Sequence, residues 1–99
     1  MGISEIQVHI DRLKDNDPEI RYWAVMYLEY IADAAAIPAL IEVLSCDDND
    51  LRGAAAKALA KFGPDAREAI PTLSSAAQEE DDWVSSTAAY ALRMIRTTE

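Results

Sequence analysis

The side chains most capable of chemistry in this sequence of 99 residues are one histidine, one cysteine and several runs of acidic residues. A catalytic triad or a Cys-His pair needs a histidine as its base, and only His9 is available. A zinc site needs three or four ligands at suitable spacing, and His9 and Cys46 are the only soft ligands. Neither residue lies within a catalytic or metal-binding signature, so we interpret His9 as half-buried and Cys46 as structural.

The acidic run Asp47–Asp50 comes closest to a cation site. An EF-hand loop that began at Asp47 would need glycine at position 52 and glutamate at position 58, where the sequence has Arg52 and Ala58. Acids that cap helix N-termini explain the run better. The pair Glu79–Glu80 lies in a predicted exposed turn, which lacks the burial that tunes a catalytic carboxylate. The sequence therefore predicts no enzyme, no cofactor and no metal.

The net charge of −9 indicates which partners are excluded. Nucleic acids and anionic membranes both need clustered lysine and arginine, so neither is predicted as a partner. Residues 1–50 carry a net charge of −8 and residues 51–99 one of −1, so charge would steer a basic protein to the N-terminal half. Alternatively, the acids only keep the chain soluble. No apolar run approaches the roughly 20 residues of a membrane span, and the single cysteine favours a cytoplasmic location.

A repeat in the sequence must position these side chains. Three segments, 17–31, 48–62 and 81–95, align with spacings of 31 and 33 residues. Within each segment, apolar or small anchors recur at i, i+4, i+8 and i+11, which is the stripe of an amphipathic helix. The aligned anchors are Ile20, Leu51 and Val84; Ala24, Ala55 and Ala88; Leu28, Leu59 and Leu92; and Ile31, Phe62 and Ile95.

A shorter element lies between the long helices. Residues 36–44 match residues 69–77, and each carries a proline, Pro38 or Pro71, that fits the first turn of a helix. A copy without proline opens the chain at Ile6, Ile10 and Leu13. The sequence thus predicts an all-α chain of six helices, at about 4–14, 18–32, 37–45, 49–62, 66–78 and 82–96. They form an α-solenoid of three antiparallel hairpins, about 4–32, 37–62 and 66–96, within one domain of residues 1–99.

The residues from Asp48 to Gly63, followed by Ala69–Leu73, resemble the HEAT repeat, and most closely its short subclass seen in phycobilisome-lyase-like proteins. The resemblance covers nearly the whole chain and implies the fold, with little information on function. In that family, an arginine at the position of Arg21 and Arg52 commonly ties adjacent repeats to acids of the inter-helix turn. The third copy has Ser85 there, so it should lack part of this ladder. Some family members attach bilins, but no residue here carries that property over.

The outward-facing positions of the long helices differ between the copies. The second copy has small residues and lysines, whereas the first and third have aromatic residues and methionines, which are favoured at interfaces. The positions predicted to be exposed are Tyr22, Trp23, Met26, Glu29 and Tyr30; Gly53, Ala54, Lys57, Ala60 and Lys61; and Ser86, Thr87, Tyr90, Arg93 and Met94. From these, the candidate partner-binding residues are Tyr22, Met26, Tyr30, Tyr90 and Met94.

Some apolar residues near the two ends of the array have an alternative to binding a partner. Trp23 would then pack under the first helix, and Trp83 would cap the last hairpin. With three hairpins, the apolar anchors at both ends lack a neighbour, and they are Ile3, Ile6, Leu92 and Ile95. A second copy of the chain or a larger repeat protein would cover them.

Together these observations predict a non-catalytic protein–protein interaction or scaffold module of HEAT-repeat type. Its partner is another protein, and a basic surface is the favoured kind. Two alternatives stay open. One is a self-associating structural unit that forms a homodimer, and the other is an accessory subunit or chaperone of a lyase-like enzyme.

Overall fold

The computed structural model describes residues 4–96, and within this range it contains α-helices, two short 3-10 segments and no strand. The 3-10 segments are Ala34–Ala36 and Gly63–Ala69. The helices are α1 (Glu5–Arg12), α2 (Pro18–Ile31), α3 (Ile37–Val43), α4 (Asn49–Ala60), α5 (Ile70–Ala76) and α6 (Asp82–Arg96). The predicted all-α fold with six helices is confirmed. None of these helices has the length and apolarity needed to cross a membrane.

The long helices begin where aspartates in the acidic turns cap them. The Asp17 carboxylate accepts the backbone N–H of Glu19 at 2.9 Å, and the Asp48 carboxylate accepts that of Asp50 at 3.0 Å. Asp81 likewise accepts the N–H of Val84 at 3.0 Å. Each bond satisfies a backbone donor that has no partner within its helix. The interpretation of the acidic run as a helix cap is confirmed at Asp48.

Helix boundaries depart from the prediction in two ways. The helix expected from residue 66 begins only at Ile70, because an α-helix from 66 would place Pro71 where its missing N–H should bond Arg67. Starting at Ile70 puts Pro71 in the first turn, where no bond is lost. In addition, α1, α3, α4 and α5 each end two residues before the predicted position. Their last turns tighten into i→i−3 bonds, as in Leu44 N–H to the Ile41 carbonyl at 3.1 Å.

Helix α4 lies at the centre of the molecule, in contact with α2, α3 and α6. Helix α5 packs on α6, and α1 packs on α2. The core combines large residues such as Leu28 and Leu59 with alanines such as Ala55 and Ala88, all fully buried. The alanines allow the helix axes to approach closely, so that the leucines fill the space beside them.

Two predictions about the ends of the molecule need correction. Ile95 was expected to lack a neighbour but is 2% exposed, because α6 packs on α4, α5 and the segment before α5. Leu92 and Ile6 are half-buried, and Ile3 lies outside the described residues. Conversely, the first-copy anchors Ile20 and Ile31 are 37% and 39% exposed. The apolar surface is therefore concentrated at the α2 end of the molecule.

Candidate functional site

The two side chains best suited to catalysis or metal binding, His9 and Cys46, both make contacts within the fold. The His9 ring stacks on the Tyr27 ring with centroids 3.8 Å apart and an interplanar angle of 27°. The Cys46 thiol donates a long hydrogen bond to the Asp48 carbonyl at 3.7 Å. His9 is half-buried, as predicted. Among residues 4–96, no group of three or more histidine, cysteine, aspartate or glutamate side chains is arranged to hold a metal ion.

Polar and aromatic contacts hold α1 against α2. No residue within α1 is buried, and its first turn carries Glu5. A hydrogen bond from the Tyr27 hydroxyl to the Glu5 carboxylate is the main cause that raises the pKa of Tyr27, and burial adds to it. Together with the His9 stack, this contact ties the first turn and the middle of α1 to Tyr27. Helix α1 is therefore attached to α2 without being buried, and it leaves much of the α2 surface exposed to solvent.

The first groove is the space between α1 and the outer side of α2, with a volume of about 610 Å³. Its most exposed side chains are Tyr30, at 81%, and Trp23, at 65%. The lining residues are His9, Arg12, Asp15, Ile20, Trp23, Ala24, Met26, Tyr27 and Tyr30. Helix α1 covers Tyr27 but not Trp23, so the alternative that α1 shields Trp23 is wrong.

The second groove lies along α4 and α6 and has a similar volume, about 610 Å³. It is lined by Tyr90 and Met94, together with Glu29, Lys57, Ala60, Lys61, Trp83, Ser86 and Thr87. The Lys57 ammonium lies 3.6 Å from the Glu29 carboxylate, which bridges α4 to α2 at this groove. The second groove thus combines aromatic and basic side chains.

Tyr22 lies apart from both grooves. It lines a cleft of about 430 Å³ at the N-terminal ends of α2 and α4, with Pro18, Glu19, Asp48, Asp50, Leu51 and Trp83. The five candidate partner-binding residues therefore fall into three places. Met26 and Tyr30 are in the first groove, Tyr90 and Met94 are in the second, and Tyr22 is in the cleft.

Trp83 packs directly on α4. A Cβ atom added to Gly53 would lie only 2.0 Å from the indole Nε1, so the indole occupies the space above this glycine. The same Nε1–H donates to the Asp50 carbonyl at 3.2 Å. The prediction that Gly53 is exposed is therefore wrong, and Ala54, Ala60 and Thr87 are buried as well. A glycine inside an alanine-rich helix was the available signal, because it marks a close approach.

A third groove lies on the inner side of the molecule, on the face made by the shorter helices. It lies between α1 and α3, has a volume of about 570 Å³, and is spanned by an exposed Lys14–Glu42 pair at 3.7 Å. Arg21 lies at its edge and donates to the Asp15 carbonyl at 2.6 Å. The groove exists because α1 rests mainly on α2 and hardly contacts α3.

The arginine ladder implied by the family resemblance is present at Arg52. Its Nη1 donates to Glu79 Oε1 at 2.8 Å, its Nη2 pairs with Glu79 Oε2, and its Nε donates to the Leu44 carbonyl at 2.9 Å. The hydrogen bonds from Arg52 lower the pKa of the Glu79 carboxyl. At the equivalent position of the third copy, Ser85 bonds only within its own turn, to the Asp82 carbonyl at 3.4 Å.

Comparisons with known proteins agree with this architecture. The family model described as HEAT repeats matches residues 6–93. A similar solved structure is a chain in the complex of CpcE and CpcF of phycocyanin lyase from Nostoc sp. PCC7120, with 30% sequence identity and a TM-score of 0.83. The match covers 96% of this chain but only 38% of that chain, so this chain spans well under half of its neighbour's length. Comparison with curated proteins gives no match.

Proposed function

The chain belongs to the HEAT-repeat family, and from that premise we propose that it is a non-catalytic protein-interaction module. The observation that carries the proposal is the exposure of Trp23 and Tyr30 in the first groove. Tryptophan and tyrosine at this level of exposure on a small protein are characteristic of binding surfaces, where burial by a partner supplies much of the affinity. We assign the partner-binding role to Tyr22, Met26, Tyr30, Tyr90 and Met94.

The test is capture of a partner from native lysate by purified chain and by alanine variants. Tyr30→Ala probes the first groove, and Tyr90→Ala with Met94→Ala probes the second. Capture should fall for at least one groove while far-UV circular dichroism stays unchanged. Gln78→Ala is the matched control, because this exposed residue lines neither groove. A partner retained equally by all variants would show that neither groove is the interface.

The favoured partner is a basic protein. The net charge of −9, concentrated in the N-terminal half, attracts a basic surface and repels a second copy of this chain. Homodimer formation is the alternative. Sedimentation velocity across the micromolar range distinguishes the two, because a homodimer would sediment faster as concentration rises. A cytoplasmic location is part of the proposal, supported by the single cysteine, and cell fractionation tests it.

An accessory role in a lyase is the second candidate, favoured by the structural similarity to a chain of the CpcE–CpcF complex. Its test is phycocyanin lyase activity after this chain replaces the matching subunit. Activity above that of the remaining subunit alone would support the accessory role. Activity equal to that background would contradict it, and would leave the interaction module as the only proposal.

A further inference from the structure

The first and third copies place equivalent residues in their grooves. Trp23, Met26 and Tyr30 line the first groove. The same repeat positions, 64 residues later, hold Thr87, Tyr90 and Met94, which line the second groove. In the third copy, the opposite wall of the groove is α4, the preceding long helix, and Thr87 is 7% exposed beneath it. The repeat thus shows what normally lies against this face of a long helix.

In the first copy, the same face has no long helix against it within residues 4–96. Helix α1 has eight residues, none of them buried, and it leaves Trp23 65% exposed. The position equivalent to Trp23 in the second copy is Ala54, which is 5% exposed because α2 covers it. The Trp23 position, which is buried in both later copies, is therefore open at the α2 end of the molecule.

We propose that a single helix of a partner protein lies along α2 in the first groove, in the place that α4 takes on α6. This inference rests on the proposed interaction function and specifies the partner's chemistry. The stacking of α2, α4 and α6 is an interface already established within the chain, and the partner helix continues it by one step. Trp23 is the central contact, because its indole is the largest exposed side chain of the groove.

The internal example indicates the composition of this helix. On the wall facing Thr87, Tyr90 and Met94, helix α4 contributes Lys57, Ala60 and Lys61. Tyr90 and Met94 are the equivalents of Met26 and Tyr30. By this example, a partner helix carries lysine or arginine on the face that it turns toward Met26 and Tyr30.

An acidic side chain lies at each end of the first groove, and Arg12 adds one positive charge to its lining. Glu5 lies beside Tyr27 near the Tyr30 end of the groove, and Asp15 lines the opposite end. The last turn of α2 has no basic residue, so the partial negative charge of its C-terminus is uncompensated. The α4 helix of a second copy is not available, because α4 buries eight of its 12 residues in its own core, and a second copy would bring the same net charge of −9 to this acidic surface. A basic helix of another protein is the occupant.

The test uses a synthetic peptide of residues 48–62 as the probe, acetylated and amidated. It carries Arg52→Lys and Ala56→Glu, whose side chains condense with loss of water to form a lactam that holds the peptide helical. Full-length chain labelled with ¹⁵N is titrated with it, and the Trp23 indole N–H signal is followed by NMR. Trp83 is an internal reference, because its own groove already contains α4. We expect a saturable shift of Trp23 and none of Trp83. A peptide with glutamate in place of Lys57 and Lys61 should bind about tenfold more weakly.

Two variants of the full chain complete the experiment. Trp23→Ala, followed through the Met26 methyl signal, should lose peptide binding, whereas Tyr90→Ala should retain it. Absence of a Trp23 shift, an equal response to the glutamate peptide, or full binding by Trp23→Ala would each overturn the inference. Any of these results combined with lysate capture that depends on Tyr90 and Met94 would leave the proposed function standing. If the folded wild-type chain captures no partner from lysate and also binds no peptide, both the proposed function and this inference are contradicted.

Discussion

At the scale of single residues, the two tryptophans have different roles. Trp23 is mostly exposed and has no partner helix beyond α1, whereas Trp83 lies on Gly53 and bonds the Asp50 carbonyl. Trp23 can therefore serve binding without a large effect on stability. Trp83 is part of the packing between α4 and α6.

Substitution of Gly53 tests this packing. Alanine is worth about 1 kcal/mol more than glycine within a helix, yet its Cβ would overlap the Trp83 indole. We expect Gly53→Ala to destabilise the chain by roughly 1–3 kcal/mol in urea unfolding, since an overfilled contact must rearrange. In a Trp83→Ala background, the same substitution should become stabilising, by about 1 kcal/mol. Equal effects in both backgrounds would mean that the indole does not limit the space.

The Arg52–Glu79 pair makes a prediction about pH. The folded-state pKa of Glu79 lies below its ordinary value of 4.5, so its stabilising contribution is fully present above that value. As pH falls through the folded pKa, the carboxylate is protonated and the contribution disappears. Glu79→Gln should therefore be less stable than wild type at pH 7, and this difference should shrink below pH 4.5. Glu80→Gln, beside it in sequence, should show a much smaller difference; matching curves would contradict the ion pair's role.

At the scale of elements, α1 is the weakest helix and α4 the strongest. No residue within α1 is buried, whereas α4 lies against three other helices. Native-state hydrogen exchange should show α1 amides exchanging well before those of α4, because local opening of α1 exposes little apolar surface. His9→Ala removes the stack on Tyr27 and should accelerate exchange in α1 alone. Uniform protection of both helices would show that α1 opens only with the whole molecule.

Most elements of the fold could be predicted from the sequence because their signals are local. Aspartate caps and i, i+4, i+8 anchors locate α2, α4 and α6 within about two residues. The late start of α5 follows from Pro71, because the first-turn position that the sequence indicates for this proline conflicts with a helix that begins at residue 66. The candidate site was less predictable. Burial of Gly53 and Thr87 follows from contacts between α4 and α6, which the pattern within one helix does not contain.

At the scale of the whole molecule, charge and apolar exposure share one end. The N-terminal half carries nearly all of the net charge and also Trp23 and Tyr30. Capture of the proposed basic partner should weaken as ionic strength rises from about 0.05 to 0.5 M, since screening shortens the reach of surface charges. Pull-down across a salt series measures this. Capture that is independent of salt would indicate a purely apolar interface.

The glycine beneath Trp83 also affects the curvature of the array. At the junction of α4 and α6, an indole fits over Gly53, which fixes how far one helix can slide or rotate on the other. At the junction of α2 and α4, the equivalent positions hold Asp50 and Tyr22, which form an open cleft. We therefore expect the angle between neighbouring long helices to be more constrained at the α4–α6 junction than at the α2–α4 junction. Bending of the solenoid should therefore concentrate between α2 and α4, next to the surface that we assign to the partner.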